Sequence, residues 1–297
     1  MKKTYVLVGT GGRSGMYIKA IMDAFKDVAE LKAFCDVNQT RMDFYNKLIK
    51  DDYGHAPLPT YKSNDFERMI KEQQPDTVIV TSVDRTHNLY ICRAMELGCD
   101  VITEKPMTID AARCQQIIDT KKRTGKNVTV TFNYRYSPRN TKIKELIKSG
   151  MIGDVTSVHF EWLLDVSHGA HYFRRWHRDK RNSGGLMVHK ATHHFDLVNW
   201  WLEDWPETVY AMGGLMFYGR ENAEKRGITE FYSRARGSAA AAKDPFALKV
   251  SEDDGKIING LYYNAEHEDQ YYCDQSVFGD GISIEDNMGV MVRFRRN

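Results

Sequence analysis

Short apolar runs alternate with helical stretches through the first 133 residues. Tyr5-Val6-Leu7-Val8 is apolar and stops at Gly9. Tyr17, Ile21, Met22 and Phe25 then recur at a spacing that puts them on one helical face. Leu31-Lys32-Ala33-Phe34-Cys35 predicts a second strand ending at Asp36, and Met42, Tyr45, Leu48 and Ile49 predict the helix after it. A looser stretch holds Pro57 and Pro59, and Phe66, Met69 and Ile70 fit a short helix. Thr77-Val78-Ile79-Val80 is apolar and β-branched, as a strand covered on both faces should be. Leu89, Cys92 and Met95 give a helix that Gly98 closes. Val101-Ile102-Thr103 is the next strand, residues 111–120 the next helix, and Val128-Thr129-Val130-Thr131-Phe132 another strand. This alternation predicts a doubly wound parallel sheet.

After Phe132 the pattern changes. Pro138 opens a helix to Lys148, with Gly150 as its stop. Residues 155–164 alternate like a strand with one wet face, and residues 186–202 read as one helix. Residues 209–212, 257–263 and 290–294 predict further strands, and the poorly periodic stretch 219–255 reads as loop. The expected organisation is an α/β N-terminal Rossmann domain over 1–133 and an α+β domain over 134–297 with an open, mainly antiparallel sheet.

Composition narrows the function. The 297 residues suit two domains. Lys plus Arg total 42 against 40 Asp plus Glu, a net charge of +2, which argues against a nucleic-acid coat or a polybasic membrane tail. No run of apolar residues is long enough to span a bilayer, and the opening run is too short for a signal-peptide core. The cysteines at 35, 92, 99, 114 and 273 form no C-x-x-C pair, so free thiols and a cytoplasmic setting are expected.

The first chemical signal is Val8-Gly9-Thr10-Gly11-Gly12-Arg13-Ser14-Gly15, a glycine-rich turn between a strand and a helix. Gly9 permits the tight turn, and Gly11 lets the backbone approach a pyrophosphate seated on the helix N-terminus. Ser14 stands where a third glycine is usual. Asp36, 27 residues after Gly9, closes the second strand where an acid would hydrogen-bond the adenosine ribose. That acid would repel a 2′-phosphate, so NAD is favoured, while Arg13 and Arg41 leave NADP possible. The second signal, Thr103-Glu104-Lys105-Pro106, follows a strand at its carboxyl end. Pro106 keeps Lys105 extended, and an ammonium there would donate to a developing alkoxide or carbonyl oxygen.

Together, Gly9-Thr10-Gly11-Gly12-Arg13, Asp36-Val37-Asn38, His87 and Glu104-Lys105-Pro106 resemble the Gfo/Idh/MocA family of glucose–fructose oxidoreductase and inositol dehydrogenase. The run from Gly184-Gly185-Leu186 through His189-Lys190-Ala191-Thr192-His193-His194-Phe195-Asp196 resembles the second-domain motif of that family, and the match extends over essentially the whole chain. The resemblance implies that Lys105 lines the active site beside the nicotinamide. It further implies a cofactor-contacting set of Gly9, Gly11, Gly12, Arg13, Ser14, Asp36, Asn38, Ser82, His87, Glu104 and Lys105. Relatives of the family usually run further, so the last sheet strands are expected to be missing here.

Seven of the ten histidines lie between His159 and His194. On the predicted helix His189, His193 and Asp196 are spaced i, i+4, i+7 and share a face, and Lys190 and His194 share a neighbouring one. By the resemblance, His193 falls on the catalytic histidine position, and His189 replaces an aspartate found there in sugar dehydrogenases. An imidazole can take the hydroxyl proton as hydride leaves. His189-x-x-x-His193 also has zinc-ligand spacing, but Lys190 sits where a metalloprotease carries Glu, and no metal is expected. All five tryptophans lie between Trp162 and Trp205, interleaved with His168, His171, Arg174, Arg175 and His177. Such a mix suits a sugar ring and its hydroxyls or carboxylate, and equally a basic surface or subunit contact. Tyr136, Arg174, Trp176, Lys190 and His194 are the candidate substrate contacts, with Arg135 beside Tyr136.

The expected function is NAD(P)-dependent hydride transfer at a secondary alcohol or ketone of a sugar, sugar acid or cyclitol. The alternatives are a glycosidase working by transient oxidation and elimination, and a non-catalytic dinucleotide-binding protein. Expected partners are a carbohydrate or cyclitol and further copies of the chain, with neither nucleic acid nor membrane.

Overall fold

A computed structural model describes residues 1–296, with Asp253 and Asp254 by their backbone alone. The apolar runs of the first half become β1 (Lys3–Val8), β2 (Ala29–Asp36), β4 (Thr77–Val80), β5 (Asp100–Thr103) and β6 (Val128–Val130), and a short strand that the apolar pattern did not predict, β3 (Thr60–Lys62), follows the looser stretch with Pro57 and Pro59. They form one parallel sheet in the order β3-β2-β1-β4-β5-β6. The order reverses between β1 and β4, and sheets of this kind bind ligands outside the carboxyl ends of the strands at that reversal.

The crossovers are α1 (Ser14–Lys19), α2 (Gln39–Tyr53), α3 (Phe66–Gln73), α4 (His87–Glu96) and α5 (Ala111–Thr124). A five-residue π-helical stretch, Ala20–Ala24, prolongs α1. Asn38 caps α2 and Asp110 caps α5, and each helix stops at a left-handed glycine, Gly54 and Gly125. Strand pleating sends alternate side chains to opposite faces. Val6 and Val8 enter a core with Met69, Ile91, Met95 and Ile117, while Leu7 enters one with Ile18, Met42, Tyr45 and Ile49.

Residues 248–273, assigned from sequence to the second domain, pack with the first unit, which comprises Met1–Thr131 and Leu248–Cys273. The strand expected at 257–263 is instead mostly helix. Numbering the remaining helices in order, these are α6 (Pro138–Lys148), α7 (Val166–Arg174), α8 (Lys180–Ser183), α9 (Leu186–His189), α10 (Thr192–Leu202), α11 (Arg220–Lys225), α12 (Ala239–Lys243), α13 (Glu252–Leu261) and α14 (Glu266–Asp269). Ile258, Leu261 and Tyr262 recur at i, i+3, i+4 and complete the core beneath α2, which settles the ambiguity of that apolar run in favour of α13.

The second unit holds Phe132–Ala247 and the chain from Asp274 onward. Its sheet is antiparallel and pairs β7 (Pro206–Gly214) with β8 (Asn287–Phe294). Its core stacks Phe173 on Tyr218 at 3.9 Å between ring centroids. The expected strand at 155–164 is absent, since no strand pairs with those residues among the described ones. The stretch 219–255 is not all loop, for it carries α11, α12 and the start of α13. The helix expected over 186–202 breaks in two. The Ala191 N–H reaches back five residues to the Leu186 carbonyl, ending the first piece, and the ladder restarts when His194 N–H bonds Ala191. No helix among the described residues is long and apolar enough to cross a membrane.

Candidate functional site

The glycine-rich turn sits where β1 ends, between the tips of β2 and β4. Gly9 N–H donates to Cys35 O at 2.8 Å, and the Thr81 hydroxyl donates to Gly9 O at 2.5 Å. Gly9 has φ +90°, and a Cβ there would lie 2.5 Å from Ser82 Cα. At Gly11, by contrast, an added Cβ meets nothing within 4 Å. One glycine is thus required by the fold and the other leaves open space at the start of α1. Asp36, at the end of β2, holds the turn from below. One carboxylate oxygen accepts from Thr10 N–H (2.5 Å) and hydroxyl (3.0 Å), and the other from Asn38 N–H at 2.9 Å. The Ser14 and Tyr45 hydroxyls donate to Gly11 O. Asn38 is fully buried, with its amide committed to the α2 cap and to Ala265 O. The segment from 248 to 273 brings the Tyr262 hydroxyl to 2.8 Å from where a Gly12 Cβ would stand.

The tip of β5 is locked to the same helix. Glu104, 5% exposed, accepts from Arg13 Nε at 2.7 Å and from the Tyr17 hydroxyl at 2.9 Å. Glu104 therefore ties the residue before Lys105 to the start of α1, and Arg13 is engaged rather than open. Lys105-Pro106 is a cis peptide. His87 is buried between two carbonyls, with Nδ1 2.9 Å from Pro106 O and Nε2 3.0 Å from Ser82 O. The Ser82 hydroxyl pairs with Thr86 at 2.8 Å. Asp84, which sequence reasoning missed, is buried beside these groups. Burial raises its carboxyl pKa, while His87 and Lys105 pull it back down. The Lys105 ammonium is thus near enough for its charge to act on this buried acid. The only sequence signal for Asp84 was its place just beyond β4.

In the second unit His189, His193 and His194 have three different surroundings. His189 lies in an aromatic nest with Tyr172, Trp176 and His177, at ring-centroid distances of 5.7, 5.8 and 4.4 Å. His193 rests edge-on to Phe132 and Tyr134. His194 lies between Phe160 and Trp162, and burial, with the Lys190 charge adding to it, pulls its pKa down to about 4, so it is neutral near pH 7. Burial lowers the Lys190 pKa as well. Asp196 does not orient a histidine. It takes a two-pronged ion pair from Arg135, Nε at 2.7 Å and Nη2 at 2.5 Å, which pins α10 to residues 133–136. Tyr136 beside it is exposed. Arg174 is buried and holds the fold together through Phe246 O and His171 Nδ1. No cluster of metal-ligating side chains occurs among the described residues.

Comparisons with known proteins agree with this geometry. Residues 3–132 match the Gfo/Idh/MocA model described as oxidoreductase family, NAD-binding Rossmann fold, and residues 144–279 match the C-terminal alpha/beta domain of that family. The putative oxidoreductase YteT of Bacillus subtilis is 37% identical over 304 residues, covering 98% of this chain and 69% of that protein. Glycosyl hydrolase family 109 protein 1 of Akkermansia muciniphila is 26% identical over 196 residues, 63% of this chain and 40% of that protein. The crystal structure of the WlbA dehydrogenase from Bordetella pertussis in complex with NADH and UDP-GlcNAcA shares the fold. Its TM-score is 0.61 at 23% identity, over 72% of this chain and 63% of that one.

Proposed function

Because the chain belongs to the Gfo/Idh/MocA oxidoreductase family, with its NAD-binding Rossmann fold, we propose that it transfers hydride between NAD and a secondary alcohol or ketone of a sugar, sugar acid or cyclitol. The observation that carries the reading is the pair of glycines at the tip of β1, with Gly9 closed against Ser82 and Gly11 open at a helix start. A pyrophosphate fits an open backbone surface of that kind, and Asp36 ends the neighbouring strand where the ribose hydroxyls of such a ligand lie.

Bound NAD supplies the hydride acceptor. The residues of this chain position the substrate and manage charge and protons. The Lys105 ammonium donates a hydrogen bond to the substrate oxygen and stabilises negative charge there. Glu104 ties the tip of β5 to Arg13 and Tyr17, and the Lys105 charge acts on the buried Asp84 carboxyl. His193 takes the hydroxyl proton, with Phe132 and Tyr134 walling its ring. Trp176 and His189 offer a sugar ring an aromatic face, and the half-buried Lys190 offers a donor to hydroxyls or a carboxylate. The same reading has a second copy of the chain covering Val209, Tyr210 and Met291 on the exposed sheet.

The test is a panel of polyols, aldoses, uronates and cyclitols with purified protein and NAD, read by nicotinamide absorbance. Turnover on one class supports the proposal, and NAD binding without turnover on any class removes it. The glycosyl hydrolase relative favours a second reading, glycoside cleavage through transient oxidation of the sugar. Aglycone release with no accumulation of free NADH would select it.

A further inference from the structure

An anion seat at the start of α2 is filled by the chain itself. The Glu268 carboxylate accepts from the backbone N–H groups of Gln39 (2.8 Å) and Thr40 (2.7 Å), from the Thr40 hydroxyl (2.7 Å) and from the Lys62 ammonium (2.7 Å). The two N–H groups belong to the first turn of a 15-residue helix, where the aligned peptide dipoles favour negative charge. Burial alone would raise the Glu268 pKa, but Lys62 and the other donors outweigh it and hold the group down at about 2. Glu268 is therefore ionised at any working pH.

The position of this seat gives it meaning. Asp36 closes β2 and α2 begins three residues later, at Gln39. In a dinucleotide fold the acid at that strand end faces the adenosine ribose, and a 2′-phosphate extends from that ribose toward cations and donors of the same turn. Here those groups already have carboxylate partners. Lys62 holds Glu268. Arg41 holds Asp269 at 2.5 Å and Leu261 O at 2.9 Å. Arg13 holds Glu104 at 2.7 Å. Both arginines that the sequence offers to a 2′-phosphate are thus occupied.

We propose that Glu268 stands in for the 2′-phosphate and so makes this chain select NAD over NADP. The proposal rests on the dinucleotide reading above and deepens it. Glu268 acts twice: it fills the donors a phosphate would need, and it adds a negative charge at the helix start three residues after Asp36. It is held too firmly to step aside. Asn38 Nδ2 donates to Ala265 O at 2.8 Å, Arg41 grips the last residues of α13 and α14, Leu261 and Asp269, and Ile258, Leu261 and Tyr262 are buried with Met42 and Tyr45. Glu268 lies 228 positions from Thr40, so the turn after β2, read alone, shows only Asp36 as a selector.

The experiment titrates the full chain with NADH and NADPH, and with ADP and 2′,5′-ADP as probes of the adenosine half. Binding is followed by calorimetry, and thermal melts establish folding. Wild type should bind NADH at least about tenfold more tightly than NADPH. Glu268→Gln should narrow that gap by about tenfold, through tighter NADPH and 2′,5′-ADP, with ADP affinity changed by no more than about twofold. Adding Lys62→Met should reverse the gain, since the phosphate then loses its cation. Glu268→Ala is the second variant should the glutamine disturb folding, with the same change expected. If wild type binds NADH and neither variant alters the NADPH-to-NADH ratio, the selector role is overturned while the dinucleotide reading stands. A wild type that prefers NADPH overturns the selector role, and one that binds neither coenzyme overturns both readings.

Discussion

Alanine at Gly9 and at Gly11 should separate folding from binding, although the two positions lie in one turn. At Gly9 the backbone has φ +90°, where a side chain costs about 1–2 kcal/mol. The new Cβ would also lie 2.5 Å from Ser82 Cα and 2.7 Å from the Thr81 carbonyl carbon. Both atoms are backbone at the end of β4, so no rotamer change relieves the overlap. Overpacking of this kind adds about 1–3 kcal/mol, and Gly9→Ala should cost about 2–5 kcal/mol in total. At Gly11 an added Cβ meets nothing within 4 Å, so Gly11→Ala should leave stability within about 0.5 kcal/mol. If a pyrophosphate lies against that open face, the new methyl blocks its approach and NADH binding should weaken by about tenfold or more. Urea unfolding reads the first effect and NADH titration the second. Gly11→Ala protein that binds NADH as wild type does would refute the placement of the pyrophosphate. Gly9→Ala protein as stable as wild type would refute the backbone overlap.

Three further outcomes follow from the site. Lys105→Met should reduce turnover by at least about a hundredfold while leaving NADH affinity near wild type, and steady-state rates beside binding titrations check it. Arg135→Lys should lose the two-pronged grip on Asp196 and cost about 1–2 kcal/mol, measured by denaturant unfolding, with a fall in turnover because His193 rides on the same helix. Glu268 has a folded pKa below its ordinary 4.5, near 2, so its contribution to stability is present above pH 4.5 and is lost as pH falls toward 2. Acid unfolding of Glu268→Gln should accordingly be less steep in that window than that of wild type.

The parallel sheet was legible because its central strands are largely covered on both faces, so residues 5–8 of β1 and Thr77–Val80 of β4 stand out as apolar runs and β2 is interrupted only at Glu30 and Lys32 before Asp36. The glycine turn, Asp36 and Lys105 were legible for a related reason: each lies at a strand end, where a short local pattern fixes its place. Residues 257–263 were not, because a short apolar run suits strand or helix equally, and the partner that decides, α2, lies some two hundred positions earlier. The shared face expected for His189, His193 and Asp196 depended on one unbroken helix, and the break after His189 sends that ring to Trp176 and His177 instead. Arg174 was read as a substrate contact and Asp196 as sharing a face with two histidines, but each has an internal partner that only tertiary packing reveals, Phe246 O for the first and Arg135 for the second.

The chain crosses between its two units three times, after Thr131, after Ala247 and after Cys273. During synthesis the leading half therefore leaves the ribosome with its sheet formed but one flank of α2 bare. Ile258, Leu261, Tyr262 and Cys273, which cover that flank, arrive more than a hundred residues later. For that interval Met42, Tyr45 and Ile49 are an adhesive surface that a chaperone can hold, and the nascent domain matures only after most of its neighbour has been translated.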